Sequence, residues 1–225
     1  MAIVNVTPDS FSDGGRCISA ADAIRRANEC VEEGADIVDI GGESTRPGAS
    51  VLSWHEEWRR IKEVVENLSR LALRISVDTY HVETAERAAD LGVEMINCVY
   101  EKSVPGMLAL KDSHPALKFV IPSKSLHLAK DIFDDIYIDP MIGFGTTREE
   151  DIELLRSIPS LASQAKTLVG VSRKRITKYL SGENSPADAT ASVALAVWSA
   201  MKGASCVRVH DVRQTVAALR TISQL

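Results

Sequence analysis

RISVDTYHVETAERAADLGVEMINCV, residues 74–99, holds one whole repeat of the architecture. Its two ends, RISVD (74–78) and EMINCV (94–99), are short apolar runs without polar alternation, the habit of strands covered on both faces in a parallel sheet. Residues 82–91 between them carry a helical pattern. Each run also ends on side chains that can do chemistry: Asp78 and Thr79 after the first, Asn97 and Cys98 after the second.

The same pattern extends in both directions. MAIVNV (1–6) and DIVDIG (36–41) precede it, and LKFVI (117–121), IYIDP (136–140), TLVGVS (167–172) and CVRVH (206–210) follow. Helical patterns lie between and after them at 19–33, 54–71, 104–113, 125–134, 148–157, 187–202 and 212–224. Eight strand–helix units in 225 residues predict an α/β chain of one domain, 1–225, folded as a (β/α)8 TIM barrel at the lean end of its size range. The fourth and fifth units are shortened; the crossover after the fifth run has about a dozen residues, close to the minimum for a parallel connection. An open doubly wound sheet fits less well. No G-x-G-x-x-G opens a helix after a strand, and polar motifs follow many strands rather than one switch point.

Composition narrows the function. With 26 basic and 31 acidic residues the net charge is −5, which argues against a general nucleic-acid surface, so any phosphate affinity must be local. Cys17, Cys30, Cys98 and Cys206 lie far apart with no C-x-x-C pair, which predicts neither a disulfide framework nor a zinc site and favours the reducing cytoplasm. No stretch approaches the roughly 18 apolar residues of a membrane span, and no charged region followed by an apolar core opens the chain, so neither membrane nor secretion is expected.

In such a barrel the site lies at the C-terminal ends of the strands, and polar residues gather there. NVTPDSFSDGG (5–15) follows the first run and GGESTRPG (41–48) the second; Asp139 with IGFG (142–145) follows the sixth and SRKR (172–175) the seventh. Arg208, His210 and Asp211 close the eighth, while the fifth offers little beyond Ile121, Pro122 and Ser123. Asp78, Asn97, Asp139 and Lys174 would surround the barrel centre, where a carboxylate is costly to bury unless donors match it. A flat heterocycle with an amino-pyrimidinone edge supplies such donors. Taken singly, each aspartate could equally cap a following helix or pair with Lys174. Arg208 and His210 share one face of a strand and can reach one anion; Asn5, Thr45 and Arg46 offer further groups for phosphate oxygens or a hydrated cation. The glycines serve tight turns under either reading.

NVTPDSFSDGG, GGESTRPG, ISVDT, DP-x-IGFG, VGVSRK and RVHDV, in this order and spacing, resemble the dihydropteroate synthases of folate biosynthesis over residues 1 to about 100 and 136 to 225. The resemblance implies a barrel that joins p-aminobenzoate to 6-hydroxymethyl-dihydropterin pyrophosphate and releases pyrophosphate with Mg²⁺ bound, as a homodimer. By motif, Asp78, Asn97, Asp139 and Lys174 look like the pterin-binding residues, with Phe144 and Gly170 beside the ring and Ser172 among the substrate contacts. Asn5 looks like the metal and pyrophosphate contact, and Arg208 with His210 like the anion clamp; these two join Asp78, Asp139 and Lys174 as the catalytic set. Thr45, Arg46 and Pro47, with Phe11, Ser12 and Asp13, would belong to two loops that close over the site, Phe11 walling the aminobenzoate pocket.

The chain also departs from that pattern. Cys98 stands where the family has an aspartate, Met141 where it has a glycine, and Thr146 where a lysine is common. The family's fifth-strand ending and the helical segment after it are replaced by FVIPSKSLHLAKDIFDD (119–135), in which Ile121 is taken as the pocket lining. The sequence given opens on the first strand, where the family pattern has a lead-in segment. Beside the synthase reading stands a non-catalytic or altered-specificity pterin-binding relative; a folate-dependent corrinoid methyltransferase domain is third.

Overall fold

A computed structural model describes residues 1–7, 19–43, 51–71, 73–182 and 189–225. Every apolar run becomes a strand: β1 (Ala2–Asn5), β2 (Val38–Gly41), β3 (Ile75–Asp78), β4 (Met95–Asn97), β5 (Lys118–Pro122), β6 (Ile136–Asp139), β7 (Lys166–Val169) and β8 (Cys206–Val207). Neighbours pair in parallel and in chain order. A parallel bridge between Ala2 and Val209 closes the ring; Ile3 N–H donates to Val209 O and Val209 N–H to Met1 O, each at 3.0 Å. The fold is the expected TIM barrel.

The helices are α1 (Ala20–Glu32), α2 (Trp54–Ser69), α3 (Val82–Asp90), α4 (Val104–Ala109), α5 (Arg148–Ala162), α6 (Arg175–Ser181), α7 (Ala189–Met201) and α8 (Val212–Ile222). Reciprocal capping boxes start two of them, Ser53 with Glu56 and Thr147 with Glu150, satisfying the free N–H groups of the first turn. The helix expected at 125–134 is instead a pair of 3-10 turns, Ser123–Leu128 and Lys130–Asp135, with a break at Ile132 (φ −128°). So short a crossover leaves too few residues to repay α-helix nucleation. Helix α6 is the opposite case, an element that the sequence pattern does not announce. It ends at Gly182, whose left-handed φ of 71° suits a residue without a Cβ.

Between strands and helices lies the main core, including the fully buried Ile40, Val77, Ile96, Phe119 and Ile138 on the strand side and Ala27, Ile61, Val65, Ala85 and Met107 on the helix side. Each large apolar side chain buried this way contributes roughly 1.5–3 kcal/mol. Inside the barrel, Met1, Ile37, Met95, Val120 and Leu168 form a separate apolar floor toward the N-terminal ends of the strands. Above that floor the register sets Asn5 beside Gly41, Gly41 beside Asp78, and Asp78 beside Asn97. The parity of the strands thus turns a row of polar side chains inward at one level.

Candidate active site

The row is held together by a residue from the far end of the chain. Arg208 reaches across from the eighth unit, its Nε donating to Asp39 Oδ2 and its Nη2 to Asp78 Oδ2, both at 2.6 Å. Asn97 Nδ2 donates to the same Asp39 oxygen at 3.1 Å. Asp39 is completely buried, and a carboxylate in such a place must be paired. Burial alone would lower the guanidinium, but Asp39 and Asp78 together hold Arg208 above its usual range. Burial pushes the Asp78 carboxyl up to about 7 despite Arg208, with Asp39 adding to the rise.

Opposite, Asp139 ends β6 and accepts the Met141 N–H at 2.6 Å. Burial raises its carboxyl above the usual range, against the pull of Lys174. Lys174 Nζ donates to Ile142 O at 2.6 Å and lies 4.1 Å from the centre of the Phe144 ring. Burial lowers this ammonium to about 8, with Asp139 opposing and Arg208 assisting the fall. The IGFG turn leaves room for it: a Cβ on Gly143 would stand 3.0 Å from Lys174 Cδ.

Two buried acceptors here, Asp39 Oδ1 and Asn97 Oδ1, have no hydrogen-bond partner. The inward carboxylates Asp39, Asp78 and Asp139 outnumber the cations Lys174 and Arg208. The pocket is short of donors, so its complement is a polar, uncharged or cationic edge rich in N–H groups. Gly41 keeps the space open, since a Cβ there would come 3.3 Å from Asn5 Oδ1 and 3.7 Å from Asp78 Cβ. Gly170 flanks Arg208 at ordinary contact distance.

Beside this slot Ser172 Oγ meets both the backbone N–H of His210 at 3.2 Å and its Nδ1 at 3.1 Å. Hydrogen bonds between β1 and Val209 make Asn5 a neighbour of that segment. Arg173, at a left-handed φ of 58°, turns away to pair with Asp211 at 2.7 Å. Phe11, Ser12, Asp13, Thr45, Arg46 and Pro47 lie outside the described residues.

Several positions differ from the sequence reading. Arg208 is not an open anion clamp; both ends of its guanidinium are taken by carboxylates, which no local pattern could reveal. Ile121 packs in the outer core, because Val120 pairs with the inward Asn97 and parity sends its neighbour out toward the helices. Asp39 was missed, although its charge between the apolar residues Val38 and Ile40 was its signal. The departures also acquire contacts. The Thr146 hydroxyl donates to the buried Asp151, which accepts Gly143 N–H at 2.7 Å and so braces the turn beside Lys174. Met141 adopts φ 70°, a conformation that costs a residue with a side chain roughly 1–2 kcal/mol and explains why a glycine suits the position. The Cys98 thiol is buried, which pushes it up to about 11, and its Sγ lies 3.6 Å from Tyr100 O.

Fold and site define a (β/α)8-barrel enzyme with its unmatched buried charges gathered where such barrels do their chemistry. The pterin-binding enzyme family matches residues 1–124 and 123–210. Among curated relatives, the dihydropteroate synthase of Staphylococcus haemolyticus is 36% identical over 250 residues, covering 100% of this chain and 94% of that protein. That of Escherichia coli K12 is 35% identical over 257 residues, covering 99% and 89%. The structure of Xanthomonas albilineans dihydropteroate synthase with 4-aminobenzoic acid superposes with a TM-score of 0.90 at 38% identity, over 100% of this chain and 91% of that one. The same enzyme in complex with 7,8-dihydropteroate gives 0.85 at 35% identity, over 100% and 92%. The chain belongs to the pterin-binding enzyme family, within its dihydropteroate synthases.

Proposed function

We infer that this chain condenses 6-hydroxymethyl-7,8-dihydropterin pyrophosphate with p-aminobenzoate, giving 7,8-dihydropteroate and pyrophosphate. The observation that carries the reading is the donor-poor slot: two orphaned buried acceptors and inward carboxylates, with Asp78 and Asp139 at the C-terminal ends of their strands. The amino-pyrimidinone edge of a pterin brings N–H donors in one plane, which suits Asp78, Asn97 and Asp139.

Asp78, Asn97 and Asp139 would hold the ring, and Lys174 would donate to its acceptor side while Phe144 packs near the ammonium. As the bond from the pterin methylene to the pyrophosphate breaks, positive charge spreads into the ring, and the carboxylates stabilise it. His210, Ser172 and Asn5, on neighbouring segments, would take the departing pyrophosphate. The aryl amine is nucleophilic when neutral, so attack needs no strong base. Mg²⁺ belongs to the same proposal: among the described residues no group of three His, Cys, Asp or Glu side chains could cage a metal. That donor set fits an ion carried mainly by substrate phosphates, with Asn5 Oδ1 as the neutral protein oxygen, the side of it toward Gly41 left clear. When bound, the ion would neutralise charge on the leaving group.

A homodimer in the cytoplasm completes the proposal. Helix α7, ATASVALAVWSAM, is apolar on nearly every side, and Met201 at its end is 66% exposed, which supports a second copy as cover. Cys30, Cys98 and Cys206 are free thiols. No helix among the described residues is long and apolar enough to cross a membrane.

Pyrophosphate release on mixing the protein with the pterin pyrophosphate, Mg²⁺ and p-aminobenzoate should depend on the aryl amine. Pterin binding without amine-dependent release would turn the reading to a non-catalytic relative. The pH profile offers a second check. Asp78 must be ionised to accept N–H donors and Lys174 must be charged to give one. With these groups near about 7 and about 8, kcat/KM for the pterin substrate should fall below the first value and above the second. A profile flat from roughly pH 6 to 9 would remove both groups from the rate.

A further inference from the structure

The ammonium of the slot is backed by a carboxylate that the reaction does not touch. Asp151 lies in the first turn of α5 and is completely buried. Its Oδ1 accepts the Gly143 N–H at 2.7 Å and the Thr146 hydroxyl, and its Oδ2 has no hydrogen-bond partner. A charge buried so completely needs an opposite charge nearby, and the start of a helix supplies only a fraction of one.

On the other side of the same turn, Lys174 Nζ donates to a carbonyl, Ile142 O at 2.6 Å, rather than to a carboxylate. Ile142 O and Gly143 N–H belong to one peptide group. A trans peptide points its C=O and its N–H in opposite directions, and no described bond is cis. Carboxylate, N–H, C=O and ammonium therefore follow one another across a single peptide group, with Asp151 behind the turn and Lys174 in front. Each bond polarises the next: the negative charge of Asp151 pushes electron density onto Ile142 O and strengthens its hold on the ammonium. Gly143, at a left-handed φ of 79°, lies under the Lys174 chain, where a Cβ would come within 3.0 Å of Lys174 Cδ. With a hydroxyl at 146, where the family commonly has a lysine, no ammonium from that position competes for Asp151.

The charges facing Lys174 are Asp139 at the end of β6, Asp78 at the end of β3, Arg208 from the eighth unit and Asp151 from α5. Arg175, on α6, reaches the turn by donating to Thr146 O. Burial lowers Lys174 most, with Arg208 assisting, while Asp139, Asp151 and Asp78 oppose the fall. Under the synthase reading the pterin edge occupies Asp139 and Asp78, so Asp151 is the acid left to balance the ammonium.

We propose that Asp151 is a positioning residue for Lys174: across the Ile142–Gly143 peptide group it fixes the ammonium beside Phe144 and serves as its buried counter-charge. The proposal rests on the synthase reading for what Lys174 contacts.

Asp151→Asn keeps an acceptor for the Gly143 N–H and the Thr146 hydroxyl but removes the charge, whereas Asp151→Ala removes both. Losing the negative charge makes the ammonium easier to deprotonate. In Asp151→Asn the alkaline fall in kcat/KM for the pterin pyrophosphate should begin about one pH unit lower than in the parent, while the acid limb set by Asp78 stays in place. Activity near about pH 7 should remain within about threefold of the parent, and near about pH 8.5 it should be roughly five- to tenfold lower. The Lys174 ammonium itself, followed by NMR of isotope-labelled lysine and assigned by its absence in Lys174→Ala, should titrate earlier to the same extent without substrate or turnover. Asp151→Ala should show the same early titration together with a lower Tm, since the Gly143 N–H loses its charged acceptor. A purely structural brace would be fully rescued in Asp151→Asn. A parent-like alkaline limb in that variant, or a Lys174 titration unmoved within about 0.3 pH unit, would therefore each overturn the proposal. A parent protein inactive with p-aminobenzoate at every pH would fail the synthase reading instead, and the Lys174 titration would still decide the role of Asp151.

Discussion

Arg208→Ala is expected to cost both fold and function. The side chain bridges Asp39 and Asp78 through two different nitrogens, and its removal leaves two carboxylates facing each other in a buried site. Breaking a buried pair in this way typically costs about 3–5 kcal/mol, because the surviving charge loses its compensation. Denaturant unfolding should therefore show a markedly lower midpoint. Activity should fall by at least about 10²–10³ in kcat/KM, since Asp78 would protonate or move and no longer accept the pterin edge. Arg208→Lys should rescue little, as one ammonium cannot occupy both positions of a planar fork. Adding Asp39→Asn to Arg208→Ala removes the unpaired charge and should restore part of the stability without the activity. An Arg208→Ala protein with the parent's midpoint would mean that these ion pairs do not form.

Lys174→Ala should separate the two quantities that Arg208→Ala couples. Burial already disfavours this ammonium, lowering it to about 8, so its loss should change stability little. Its bond to Ile142 O and its place beside Phe144 and Asp139 set it toward the slot, where a charged donor to the ring contributes about 2–4 kcal/mol to the transition state. The fall in kcat/KM should be about 10²–10³, with a midpoint near the parent's. If kcat/KM stayed within about threefold, Lys174 would not touch the reacting complex.

Both predictions turn on side chains that the sequence names but does not pair. Asp78, Asn97, Asp139 and Lys174 are legible because each follows an apolar run, and strand ends are where a barrel exposes its interior. Asp39 is not, because the charge in the middle of DIVDIG has no visible partner: Arg208 lies 169 residues away. Asp151 hides in the same way inside an ordinary amphipathic helix, although its carboxylate shapes the turn that carries Phe144. Ile121 went astray through parity alone, since a shift of one residue exchanges the two faces of a strand.

What the sequence determined by itself was the order and kind of the elements, and from them the barrel. Apolar runs and helical spacing report local sterics and burial, which act over a few residues and survive in one dimension. The 3-10 turns at 123–135 and the extra helix α6 mark the limit of that information, where tertiary packing outweighs weak local preference. Only the tertiary structure decided that Arg208 is shared between two carboxylates and that Asn97 meets the same Asp39 oxygen. Those pairings depend on how the strands are staggered around a closed ring, which places residues far apart in the chain within bonding distance.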